Sequence, residues 1–254
     1  MKRTAVAFLI VCGVFAGTPG QAAAQGATWA DRGYINVGWG VESGSSTMTS
    51  TKTGTIYDEA ATITSSATFT SGSLFDVGVG MRLFKNLTVG VGYHQEQNDT
   101  DGQLSGSIPS PVFFNRPRTL SDTVTGLDRK EAATHLNFGW VFPVNEKLDV
   151  LVYAGPSFFR LTQESVTDVS VGEQGGDFTK VVAQPKTTDI KKSVTGYNVG
   201  ADVTYILWQN DSVRLGAGGF LRFTQASTEV EMLGSTEPTD VGGMQFGFGA
   251  RIRF

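Results

Sequence analysis

Cysteine is almost missing from this chain of 254 residues: Cys12 is the only one. One thiol makes no intrachain disulfide and no cysteine metal cluster. Its position removes it further, because it lies in an amino-terminal stretch patterned like an export signal. Lys2 and Arg3 are followed by an apolar run from Ala5 to Phe15, then the breakers Pro19 and Gly20 and the small residues Ala22, Ala23 and Ala24. We expect residues 1–24 to be cleaved as a signal peptide and residues 25–254, from Gln25, to form one domain. Val11 is too bulky for a lipoprotein signal ending at Cys12. The apolar run is also short of the roughly 18 residues of a membrane helix, and no later segment approaches that length. Histidine is scarce too, with His94 and His135 alone. Charged residues are 17% of the chain and the formal net charge is −4, so nothing points to nucleic acid.

Glycine and aromatics are abundant, with 32 Gly and 11% aromatic residues. A low-charge, glycine-rich chain without long apolar runs reads as all-β. The dominant pattern is alternation with period two over about ten residues, the repeat of a strand. Ile35, Val37, Trp39 and Val41 alternate with Asn36, Gly38, Gly40 and Glu42. The same design recurs at Phe75–Leu83, Leu87–Tyr93, Leu136–Phe142, Leu148–Ala154, Tyr197–Tyr205, Val213–Leu221 and Met244–Phe254. Connections near 84–87, 143–147 and 207–212 are short. Those near 43–72, 97–133, 163–192 and 226–241 are long and polar, with parts such as Val166 to Val171 and Phe178 to Val182 extending the strands as hairpins. Strict alternation of short and long connections suits a transmembrane barrel with periplasmic turns on one side and extracellular loops on the other. The expectation is an eight-stranded antiparallel up-and-down barrel.

The alternating apolar face carries Trp39, Phe75, Phe138, Trp140, Phe246 and Phe248, too much bulk for the interior of eight strands. It is expected to face lipid, with Phe84, Tyr93, Phe142, Tyr205, Trp208 and Phe254 as interfacial girdles. The chain stops at Phe254 after outward Ile252, Ala250 and Phe248. That ending resembles the terminal-strand signal by which outer-membrane proteins engage the barrel assembly machinery. With the signal peptide, the glycine-rich strands and the alternating connections, the mature chain resembles the small OmpA-like or opacity-type outer-membrane barrels, the "porin family". The resemblance implies the bacterial outer membrane, contact with its lipids and a monomer. It implies location more than activity.

The inward face holds Glu42, Asp76, Glu96, Asp149 and Asp202 against Arg82, Arg214, Arg222, Arg251 and Arg253, together with His94. Near balance suggests an ion-pair network filling the lumen, since buried charges must be paired. The inward glycines keep open a narrow channel for small or apolar solutes, as in OmpW-like barrels. An outer-membrane lipid-modifying enzyme would need a hydroxyl near an imidazole. His135 and His94 are expected to meet at the extracellular rim near Glu96, but Asn137 stands where a serine would be required, so no catalytic residue is assigned. Asp99, Asp101 and Asp128 lack metal-ligand spacing, and no metal or cofactor is expected. One connection is distinctive. Pro109, Pro111, Phe113, Phe114, Arg116 and Arg118 form an apolar, basic segment suited to an extracellular ligand or to a plug on the barrel mouth. The expected role is structural or surface-interactive.

Overall fold

The computed structural model describes residues 28–70, 72–175 and 178–254. The signal peptide expected over 1–24, Cys12 and the start at Gln25 lie outside them. Strands are the only regular elements among the described residues: β1 (Gly33–Ser43), β2 (Ser46–Ile56), β3 (Glu59–Phe69), β4 (Gly72–Phe84), β5 (Leu87–Ile108), β6 (Arg118–Pro143), β7 (Leu148–Gln174), β8 (Lys180–Gln209), β9 (Arg214–Met232), β10 (Ser235–Val241) and β11 (Met244–Arg253). Among the described residues no helix is long and apolar enough to cross a membrane.

All pairings are antiparallel. β1 pairs with β4, β4 with β5, β5 with β6, and so on through β7, β8 and β9 to β11. β11 then pairs with β1, setting Trp39 opposite Phe248 and Val37 opposite Ala250. The ladder that leaves β1 through β4 thus returns to it through β11. β2 and β3 form a hairpin whose second strand joins the far half of β5, and β10 folds against the far half of β9.

The long polar connections are therefore β-structure. The Ser/Thr-rich stretch expected as a loop over 43–72 is the β2–β3 hairpin, and most of 97–133 continues β5 and β6. Polar outward residues concealed this from the sequence, because the side-chain alternation persists while the chemistry of the two faces exchanges. On β5, outward Leu87, Val91 and Tyr93 are exposed and apolar, and the same face continues as exposed Gln95, Gln97, Asp99, Asp101 and Gln103. The opposite face runs from buried Thr88, His94 and Glu96 to buried Leu104 and Ile108.

Two interiors are stacked as a result. Beyond the short turns the core is polar. Toward the hairpin tips it is apolar, built from Met48, Phe69, Leu104, Leu120, Leu127, Phe159, Leu161, Val166, Val230 and Met232. At the short-turn end, Trp29, Tyr34, Val141, Leu151 and Tyr153 form a second apolar cluster. Within it Trp29 is fixed by its backbone: its N–H donates to Asn86 Oδ1 at 3.0 Å, and its carbonyl accepts from Arg82.

Interior glycines make room for side chains. A Cβ at Gly80 would overlap the Tyr34 ring, and one at Gly200 would lie 2.8 Å from the Tyr153 ring. Beside Gly80 and Gly200 the space left by the missing side chain is occupied by these tyrosine rings.

Candidate functional site

Two regions gather the chemistry. The first is the polar interior, which inward positions of all the paired strands build jointly. Its lower tier is a bidentate pair: Arg251 Nη2 lies 2.7 Å from Asp202 Oδ2, and Nε donates to Oδ1 at 3.1 Å. Arg253 lies 3.5 Å from Asp149 and 3.7 Å from Asp202, donates to Asn36 Oδ1 at 2.7 Å, and packs over the Tyr34 ring. Arg214 pairs with Asp31 and Arg82 reaches the Trp29 carbonyl, so both stand at the short-turn end. Higher up, Arg222 binds Asp76 at 2.6 Å and donates through Nε to Gln245 Oε1 at 2.6 Å. Every inward charge named from the sequence is on this face, and most are grouped by these contacts.

The histidines meet, but in the interior rather than at a rim. Both are fully buried, their rings stack 4.9 Å apart, and His94 Nδ1 lies 2.8 Å from His135 Nε2. His135 Nδ1 is 2.7 Å from Ser157 Oγ, which also accepts from Asn198 Nδ2 at 3.0 Å. Gln245 bridges onward: its Nε2 donates to Glu42 Oε2 and lies 3.2 Å from His94 Nε2. Two donors meet His94, Arg222 Nη2 at 3.4 Å from Nδ1 and Gln245 Nε2 at 3.2 Å from Nε2. The tautomer in which Nδ1–H donates to His135 and His135 Nδ1–H donates to Ser157 keeps the Nε2 lone pair for Gln245 and leaves the longer Arg222 contact without a hydrogen bond. A hydroxyl does therefore lie beside an imidazole. It comes from β7, in register opposite His135, and it is fully buried.

Above the histidines, Glu96, Glu131 and Arg129 join Glu42. Arg129 donates to Gln163 Oε1 at 3.2 Å and to the Asp240 carbonyl at 2.7 Å, and lies 3.5 Å from Glu131 Oε2. Glu131, Arg129, Gln163, Ser157 and Asp31 were missed as site residues. The first four sit on the inward parity of β6 or β7, Glu131, Arg129 and Gln163 beyond where the apolar outward pattern stops and Ser157 just before outward Phe158, and extending that parity would have found them.

The second region is the distal end. Phe113 and Phe114, expected partly as a plug, point away from the mouth: they are 58% and 74% exposed, with Val112 beside them. Only Ile108, Pro109 and Ser110 tuck inward. Arg116 packs over the Phe113 ring. Arg118 is a clamp. Its Nη2 donates to Glu173 Oε1 and to the Pro109 carbonyl, each at 2.7 Å, and its Nη1 donates to the Phe178 carbonyl at 2.8 Å. Tyr57 Oη donates to the same Glu173 at 3.2 Å, and Asn115 N–H donates to Glu59 at 2.9 Å. Three hairpin tips are thus tied together, displaying Tyr57, Phe113, Phe114 and Phe178. The Arg118 guanidinium holds the Glu173 carboxyl below its ordinary value of 4.5, and Lys52 lowers Asp168 in the same way. Tyr57 and Asp58 occupy the left-handed region at φ 52° and 61°. A turn of this kind favours Asn-Gly, and a left-handed tyrosine costs on the order of 1–2 kcal/mol. Backbone strain at an exposed aromatic is a feature found where display matters.

No protein-family model and no curated protein matches this chain. Among solved structures it is similar to Neisserial surface protein A, at TM-score 0.42 and 15% identity over 87% of this chain and 97% of that one. It is similar also to the outer membrane protein OprG of Pseudomonas aeruginosa, at TM-score 0.38 and 11% identity over 91% and 98%. A third is the outer membrane protease OmpT of Escherichia coli, at 0.42 and 9% over 90% and 98%. Scores below 0.5 are too low to support an inference of function.

Proposed function

We propose that this chain is a bacterial outer-membrane protein whose ring of pairings, β1–β4–β5–β6–β7–β8–β9–β11, closes an eight-stranded barrel. The short turns lie in the periplasm and the extended hairpins outside. Support comes from the exposed apolar belt that includes Trp39, Phe75, Val79, Phe138, Trp140, Val152, Val203 and Phe248. A spanning strand needs about 9–11 residues, whereas β7 has 27. About 55 Å of strand length is left beyond the membrane at roughly 3.3 Å per residue. The exchange of polarity along β5 fits this division, because the outer solvent changes from hydrocarbon to water.

Its role, in this reading, is contact with an external partner through the aromatic distal surface. The observation that carries it is the set of exposed aromatics on three hairpin tips held by Arg118 and Glu173. A structural or surface role is favoured over conduction, because paired charges fill the lower interior and an apolar core lies above it. Two measurements test this. Reconstituted in planar bilayers, the protein is expected to show no reproducible openings. Cells displaying Phe113→Ser/Phe114→Ser are expected to attach less to one another and to protein-coated surfaces than cells displaying the wild type at equal surface density. Steady single-channel openings, or unchanged attachment, would overturn it.

A further inference from the structure

We propose that Glu42, Glu131 and the imidazole of His94 form a binding site for one divalent first-row transition ion, just above the apolar belt. The three residues reach this point from β1, β6 and β5, and their ligand atoms lie within 4.8 Å of one another. Around Zn2+, oxygen and nitrogen ligands sit at about 2.0–2.2 Å. In a tetrahedral site the ligand atoms then stand about 3.3–3.6 Å apart, so side-chain shifts of about an ångström are needed to close the site. All three residues are buried, unlike a solvated acidic patch.

Independent observations point to a missing ligand. Glu131 is 2% exposed, yet its Oε1 has no hydrogen-bond partner. Asn98 Oδ1 is likewise buried without a partner. Both residues line the same cavity of about 40 Å³, with Glu42 and Glu96. Buried polar atoms are nearly always satisfied, and the unsatisfied Oε1 belongs to Glu131, one of the three proposed ligands; His94 lies beneath the cavity rather than on its lining. Three carboxyl groups, Glu42, Glu96 and Glu131, gather at this cavity with Arg129, and a divalent ion there would displace the proton that the hydrogen-bonded Glu42 and Glu96 share.

The imidazole selects the class of ion. Nitrogen among carboxylates disfavours Ca2+ and Mg2+, which take oxygen, and suits Zn2+ and its neighbours. His94 is already oriented for coordination. Its Nδ1 is engaged by His135, which Ser157 holds in turn, and a metal-binding histidine commonly has its other ring nitrogen fixed this way. Its Nε2 lone pair meets only the Gln245 amide at 3.2 Å, and that amide would swing aside.

The test uses untagged protein refolded in detergent and stripped with EDTA. Titration with Zn2+, read by calorimetry, should show one ion per chain. Glu131→Gln and His94→Gln should each weaken binding by at least about 100-fold, since loss of an outer-shell partner alone reaches that range. Asp99→Asn/Asp128→Asn, on the outer face, should bind as the wild type does. Heat-modifiable gel migration verifies that each variant folds. A second measurement needs no variant: Cu2+ bound to the wild type should give an electron paramagnetic resonance spectrum with coupling to one imidazole nitrogen. No stoichiometric Zn2+ binding, binding indifferent to Glu131→Gln, or a spectrum without imidazole coupling would overturn the site.

Discussion

Replacing Asp202 by leucine would leave Arg251 without its bidentate partner and Arg253 with Asp149 as its one carboxylate. The contact is short, 2.7 Å between Arg251 Nη2 and Asp202 Oδ2, and both side chains are almost fully buried. At that separation the gross attraction is about 6 kcal/mol for an effective dielectric near 20, and about 1.5 kcal/mol in bulk water. The experiment therefore reports which medium the pair occupies. In a packed interior, removing one partner is expected to destabilise by about 3–5 kcal/mol, because the other charge stays buried and unpaired. Asp202→Leu/Arg251→Met removes both charges and should recover much of that loss. The double-mutant cycle should then give a coupling above about 2 kcal/mol, within the range for residues in one network. Urea unfolding in lipid vesicles, followed by tryptophan fluorescence, supplies the four free energies. A single-mutant cost below about 1 kcal/mol with additive changes would mean that water screens the pair, and the packed interior would be refuted.

Arg118→Ala should leave global unfolding unchanged while exposing residues 109–117 to proteases, read by limited digestion of intact cells. The same clamp should depend on acid: because Arg118 depresses the Glu173 carboxyl, its contribution is complete above about pH 4.5 and lost as pH falls through the lower folded value. Digestion at neutral pH and at pH 3 tests this, and equal protection at both would count against it. Phe248→Arg, in the outward belt at 74% exposure, should cost about 2–4 kcal/mol in vesicles if it lies near the midplane; a neutral result would remove β11 from lipid. Gly80→Val should destabilise by about 1–3 kcal/mol through overpacking against the Tyr34 ring, measured by the same unfolding assay.

Strand positions in the apolar belt were legible because one face of each strand is continuous hydrophobic surface. Ile35, Val37, Trp39 and Val41 announce themselves without any knowledge of partners. The paired charges were legible for the same reason, as the other parity of those segments. What escaped was everything that depends on which strand lies beside which. Ser157 meets His135 only because β7 runs antiparallel to β6 in one register, and Asp31 meets Arg214 across most of the chain length. The hairpin extensions escaped for a different reason. Thr, Ser, Gln and Asp on an outward face look like loop composition, and only the paired strand shows that their neighbours are buried. Phe113 and Phe114 were singled out by composition, but composition does not give direction.

The exchange of polarity along single strands explains both the difficulty and the design. A strand presents two faces, and each must match what it meets. In the membrane orientation proposed above, the outer face near the short turns meets an apolar medium, which suits outward Val91 and Tyr93 with Thr88 and His94 buried inside. Beyond Glu96 it meets water, which suits outward Gln103 and Ser105 with Leu104 and Ile108 filling the centre. No shift of parity in β5 is needed, only a change of side chain at fixed positions. The junction is the demanding place. There an inward face designed for polar contacts meets one designed for apolar packing, and Glu42, Glu96 and Glu131 are caught at the boundary with His94 beneath and Phe69 above. Leu104→Asp and Gln103→Leu separate the two regimes. The first puts an unpaired carboxyl into the upper core and should destabilise by several kcal/mol, whereas the second changes only a watered surface and should stay within about 0.5 kcal/mol. Were the membrane to extend over the hairpins, the order would reverse for Gln103, because a leucine there would stabilise the protein in vesicles.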